Sequence, residues 1–166
     1  MNDAHLHLVV NHFPIIGTIF GLGILISGIL LKNKTAVNIA YILFIISAIF
    51  GFASMYTGEG AEEMVEDLPN VGDQIIHEHE EMAEKLAIVL YALGTFSIAG
   101  LILNTMKHSK AKFVTYIVLI ISLAAAFLGK QTGTTGGEVR HTEIRANVSN
   151  QVGASQTESA EEEADQ

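Results

Sequence analysis

Residues 9–31 read VVNHFPIIGTIFGLGILISGILL, without a Lys, Arg, Asp or Glu. As a helix rising 1.5 Å per residue, this stretch reaches about 35 Å. That crosses the hydrocarbon layer of a bilayer, which is roughly 30 Å thick. Three more blocks free of those four residues follow, at 36–56, 86–103 and 113–129. The second is long enough alone, and the shorter two span with help from their flanks. The whole chain, 166 residues with 49% hydrophobic and 16% charged side chains, has the wrong balance for a soluble domain of its size. The first block is too long for the apolar core of a signal peptide and no Lys or Arg precedes it, so it reads as a retained span.

The charges sort by connection. The turn 32–35 and the connection 104–112 carry Lys32, Lys34, Lys107, Lys110 and Lys112 and no acid, which places both in the cytoplasm by the positive-inside rule. The segment 57–85, with ten acids and one lysine, and the tail from residue 130, with seven acids and three bases, then lie outside with both termini. Short connections pair span one with two and span three with four, so the expected fold is all-α: a four-transmembrane-helix bundle of two helical hairpins. Its domain covers 1–145 with an outer loop at 57–85. Residues 146–166 form an acidic tail rich in Ser, Gln and Glu, of a composition that stays disordered. Gly17, Gly21 and Gly28 in span one, with Gly94, Ala99 and Gly100 in span three, permit close helix approach.

In the outer loop a break is expected around residues 68–70. From Asp73 onward, Ile75, Ile76, Met82, Leu86 and Val89 form a helical stripe running into span three. A faint repeat is also visible. Thr57-Gly58 and Gly60 after span two resemble Thr132-Gly133 and Gly136-Gly137 after span four, as in a duplicated two-span unit with a glycine turn at each exit.

Formal charge is -9, and no basic patch exists to neutralise a phosphate backbone, so nucleic acid is not an expected partner. Cysteine is absent. Iron–sulfur clusters and haem attached through thioethers are thereby excluded, while noncovalent haem and metal held by nitrogen or oxygen remain open. Six of the seven histidines, His5, His7, His12, His77, His79 and His141, fall near the outer ends of spans; His108 alone falls in a lysine-rich connection.

His12 precedes Phe13-Pro14, at the hydrocarbon boundary, and is the histidine expected to be buried; a cofactor ligand, a structural hydrogen bond, and quinone or proton chemistry are its three readings. His5 and His7 rank behind it. His79 is followed at helical spacing by Met82, Ala83 and Leu86, which turns it toward the bundle and His77 away. Glu80 and Glu84 read as a solvated face. The glycines at 133, 136 and 137 allow the chain to fold back over the bundle mouth and bring His141 there. Arg140 and Arg145 are candidates to pair with a haem propionate or to neutralise nearby glutamates. No His-Glu-x-x-His and no phosphate-loop pattern is present.

The pieces Val10-Asn11-His12-Phe13-Pro14-Ile15, Thr57-Gly58, His79 and Thr132-Gly133-x-x-Gly136-Gly137-x-x-x-His141 together resemble a family of small bacterial four-span membrane proteins of unknown function with a His-Phe-Pro signature. The resemblance covers about residues 5 to 145. It implies a multi-pass protein of the bacterial inner membrane with no established reaction, and makes His12, His79 and His141, the candidate metal ligands, the first residues to test. The long acidic segment between spans two and three departs from that pattern.

The leading expectation is a membrane protein binding haem b, working in electron transfer or as a redox-complex subunit. An apolar helical slot, His12 and His79 as axial donors, and Arg140 or Arg145 at the propionates would supply what haem requires. Met55, Met64 and Met82 are substitute axial donors, and non-haem metal is the alternative cofactor. Its partners would be the lipid bilayer, a membrane redox complex, a quinol or a periplasmic electron carrier. A nonenzymatic accessory or assembly subunit is the second expectation. A divalent-metal or proton transporter is the third, disfavoured by the lack of an Asp or Glu inside any span.

Overall fold

The computed structural model describes residues 2–66 and 71–145. The chain forms α1 (Asp3–Val10), α2 (His12–Leu30), α3 (Lys34–Glu62), α4 (Asp73–Thr105) and α5 (Ala111–Arg140), then a 3-10 turn at Thr142–Ile144. Among the described residues four helices are long and apolar enough to cross a membrane, α1 and α2 counting together as the first. The expected break at 68–70 and the acidic tail at 146–166 lie outside the described residues.

The two lysine-bearing turns are built alike. Asn33 N–H donates to Gly28 O at 2.8 Å and Lys32 N–H to Ile29 O at 3.1 Å; His108 N–H donates to Leu103 O at 2.9 Å and Lys107 N–H to Asn104 O at 3.2 Å. Each pair is a Schellman closure, which needs a left-handed residue just past the helix. Lys32 and Lys107 occupy it, at φ 52° and 54°. Asn33 then caps α3, its side-chain oxygen accepting from Thr35 and Ala36 N–H. A lysine in this conformation costs about 1 kcal/mol that glycine would not. Lys32→Gly and Lys107→Gly are therefore each expected to stabilise the bundle by about that amount, read as a rise in the thermal midpoint in one detergent.

The helices pack in a ring: α2 on α3, α3 on α4, α4 on α5, and α2 closing on α5. Tyr41, Phe44, Leu25, Leu90, Leu93 and Val118 fill its interior. Glycines let backbones approach where a large side chain is met: Gly21 lies on the Phe44 ring and Gly100 on the Tyr41 ring. Ala99, expected at such a contact, is exposed. At the lysine end, Asn104 donates to Asn38 at 2.6 Å and the Tyr41 hydroxyl pairs with Thr115 at 2.9 Å, tying the hairpins together. Large apolar side chains such as Phe20, Phe52, Ile88 and Ile120 face outward. A bundle apolar outside as well as inside is suited to lipid.

At the opposite, acidic end the structure departs from expectation. No glycine turn follows either hairpin: α3 continues through Thr57, Gly58 and Gly60 to Glu62, and α5 through Gly133, Gly136 and Gly137 to Arg140. No glycine has a positive φ among the described residues. Glycine allows a turn without imposing one, and a helical glycine costs only about 1 kcal/mol against alanine, which close packing offsets. Here Gly60 sits against Asp3 and Gly136 against His79. The helices thus project past the apolar blocks, since the 33 residues of α4 alone reach about 50 Å.

Candidate functional site at the acidic end

α1 packs against the projecting end of α3, and His7 makes the polar contact between them. Its Nδ1 lies 3.1 Å from the Ser54 carbonyl and 3.2 Å from Thr57 Oγ1. The Thr57 hydroxyl spends its own proton on the Ala53 and Ser54 carbonyls. Both neighbours of Nδ1 are therefore acceptors, and the ring must carry its proton on Nδ1. Nε2 keeps a lone pair, with no hydrogen bond among the described residues.

His79 repeats this arrangement in the second hairpin. It is half-buried on α4, with Nδ1 3.1 Å from Thr135 Oγ1 of α5, and it also interacts with the backbone of Thr132. Thr135 donates to the Thr132 carbonyl at 3.2 Å, so it too can only accept from the imidazole. Thr132 meanwhile donates to Met82 O of α4 and Leu128 O of its own helix, fixing this turn of α5 against α4. A ring edge lies over a glycine in each case, Gly58 for His7 and Gly136 for His79. His79 lies within electrostatic reach of His7, and His7 within that of His12.

These contacts correct the register of the repeat. By role, Ser54-x-x-Thr57-Gly58 corresponds to Thr132-x-x-Thr135-Gly136, three residues beyond the Thr132-Gly133 match expected from linear similarity. Each unit offers a carbonyl, a hydroxyl one turn later and a glycine, all on one helix face.

The other candidates are dispersed. His12 is exposed, not buried, and its Nδ1 turns back to the Leu8 carbonyl at 3.3 Å. The local reason is its position on the face of α2 that Ile16 and Ile19 also occupy, both exposed. His141 is exposed and pairs with Glu143 at 2.9 Å; the Glu143 carboxyl is held below the usual range by its own backbone N–H and by this imidazole. Because α5 stays helical to Arg140, no fold-back carries His141 across the mouth. Arg140 is exposed. Arg145 donates to the Glu138 and Val139 carbonyls, satisfying the end of α5. His77 points outward as expected and meets Glu80 and Glu81; His5 and His108 are exposed.

His12, His79 and His141 thus have separate partners. Among the described residues, no three His, Asp or Glu side chains are placed to hold one metal ion. What the bundle repeats is a mode of seating, shared by His7 and His79. In the sequence His7 stands behind His12 because it lies nearer the end of the chain, and its partners are 47 and 50 residues away. The doubled Ser/Thr-x-x-Thr-Gly pattern was the signal that could have found it.

Comparison of the chain with protein-family models, with curated proteins and with solved structures finds no match in any of the three.

Proposed function

We propose that this four-helix chain is a membrane haem-b protein of electron transfer, or the haem-bearing subunit of a redox complex, with His7 and His79 as the axial donors. The observation that carries the reading is the shared seating of two imidazoles at the acidic end, each with Nδ1 bound to acceptors on a neighbouring helix and Nε2 without a hydrogen bond among the described residues. Metal-binding histidines are commonly oriented in this way, with the hydrogen bond at the far nitrogen setting tautomer and basicity. The donor set fits a group that takes two nitrogens, and Gly58 and Gly136 let the rings lie close against α3 and α5. Bound there, haem b would supply one-electron chemistry.

The chain's own residues have separable tasks. Thr57 and Thr135 hold the two rings, Ser54 and Thr132 back them with main-chain oxygen, and the packed interior of Tyr41, Phe44, Leu90 and Leu93 confines the site to the acidic end. Arg140, exposed at the end of α5, is the basic side chain offered to a propionate, and Arg145 supports the same turn from behind. His141, near them, remains a second-tier donor. With the lysine end in the cytoplasm, the site opens to the periplasmic side of a bacterial inner membrane, where a quinol, a redox complex or a soluble electron carrier would meet it.

The test is a reduced-minus-oxidised optical spectrum of full-length protein, extracted mildly from cells supplied with haem, with pigment extraction and elemental analysis alongside. A protohaem spectrum with near-stoichiometric iron is expected. Iron or zinc without pigment would replace haem by a non-haem metal. A colourless, metal-free bundle would reject the reading and favour an accessory or assembly subunit.

A further inference from the structure

The outward face where α1 runs into α2 carries Leu8, His12, Phe13, Ile16, Ile19 and Phe20, all exposed. His12 is the polar side chain among these apolar ones, at the boundary where the apolar block begins. An imidazole so placed would ordinarily seek a partner. Its Nδ1 lies 3.3 Å from the Leu8 carbonyl, and a carbonyl only accepts, so in the neutral ring the proton sits on Nδ1 and Nε2 presents a lone pair. Beside it, Phe13 and Phe50 stack with ring centroids 4.5 Å apart and planes 23° from parallel. Lipid-facing acceptor and aromatic platform come together at interfacial depth.

We propose that this face binds the head group of a lipid-soluble hydroquinone. A ligand here must arrive through the bilayer, bring an O–H donor to His12 Nε2, and lay a flat ring against Phe13 and Phe50. A lipid phosphate brings only acceptors and is refused by the lone pair. The ammonium of an aminophospholipid brings donors but no ring. The site shares no residue with the His7 and His79 pair and stands without it. Where that pair holds haem, a hydroquinone is one of the electron donors that could serve it.

The experiment uses full-length protein with 15N-labelled histidine in quinone-free nanodiscs, titrated with a short-tailed benzohydroquinone or naphthohydroquinone under reducing conditions. Saturable binding is expected, with one histidine side-chain nitrogen signal moving, the signal that His12→Ala removes. His12→Ala should weaken binding by about tenfold, the worth of one hydrogen bond. Phe13→Leu should weaken it by roughly threefold to tenfold, the worth of an aromatic contact, and His108→Ala should not change it. If His12→Ala does not fold, His12→Gln retains an acceptor and should bind within several-fold of the parent, while Phe13→Leu still reads the platform.

Nonsaturating partition equal in parent and His12→Ala would overturn the proposal. So would a shift confined to another histidine, or saturation by a short-chain phosphatidylethanolamine with none by the hydroquinone. A colourless protein that binds hydroquinone at His12 rejects the haem reading and keeps this one; a haem-loaded protein that does not bind it does the reverse.

Discussion

His79→Ala protein, prepared beside the parent, is expected to lose the low-spin spectrum of a bis-imidazole haem and to retain the pigment at least about tenfold less tightly. Losing even a supporting partner of a metal ligand commonly costs 10- to 100-fold. The helical far-UV signal should persist, because Leu86, Leu90 and Leu93 still bury α4 against its neighbours. His7→Ala should do the same from the other hairpin, while His12→Ala and His108→Ala keep the parental spectrum. Thr135→Val is the finer probe. It leaves the His79 ring in place but removes the hydroxyl 3.1 Å from Nδ1, so the reduction potential should move with less loss of pigment. Retention of the parental spectrum by both His7→Ala and His79→Ala would dismiss the ligand assignment, whatever the cofactor.

Gly136→Val is expected to be nearly as damaging without replacing either histidine. A Cβ at Gly136 would stand 2.9 Å from His79 Cε1 and 3.4 Å from its Nε2, closer than carbon atoms rest, and valine adds two methyls. The ring can relieve this only by swinging away from Thr135, which gives up its hydrogen bond and its aim. Pigment content should fall about tenfold, comparable to losing a supporting partner of the ligand. Gly133→Val is the matched control on the same helix, where a Cβ would meet Ile15 at an ordinary 3.7 Å and the same helix-propensity penalty applies. Equal pigment in the two variants would mean that the seat of His79 on Gly136 does not matter. At Gly58 the nearest His7 atom would be 3.7 Å from a Cβ, so Gly58→Ala should be tolerated. That difference makes the second site the tighter of two otherwise equivalent ones.

The sequence by itself determined the four apolar helices, their pairing into hairpins, the two lysine-bearing turns and the outward face of His77. Each of these depends on information that is local along the chain: run length against membrane thickness, the spacing of apolar positions on one helix, and charge in short connections. Tertiary structure alone decided the rest. Thr57-Gly58 and the glycines from 133 to 137 could have ended their helices, and packing against Asp3 and His79 kept them helical. His12, beside the conspicuous Phe13-Pro14, faces outward, whereas His7 faces α3, because the angular position of each residue acquires meaning only when a neighbouring helix is present. The repeat likewise aligned three residues away from its best linear match, since hydrogen-bond roles follow the carbonyl and hydroxyl that an imidazole from another helix can reach. The matched seating of imidazoles from α1 and α4 is a property of helix packing, in which each ring is positioned by oxygen atoms about fifty residues away in sequence.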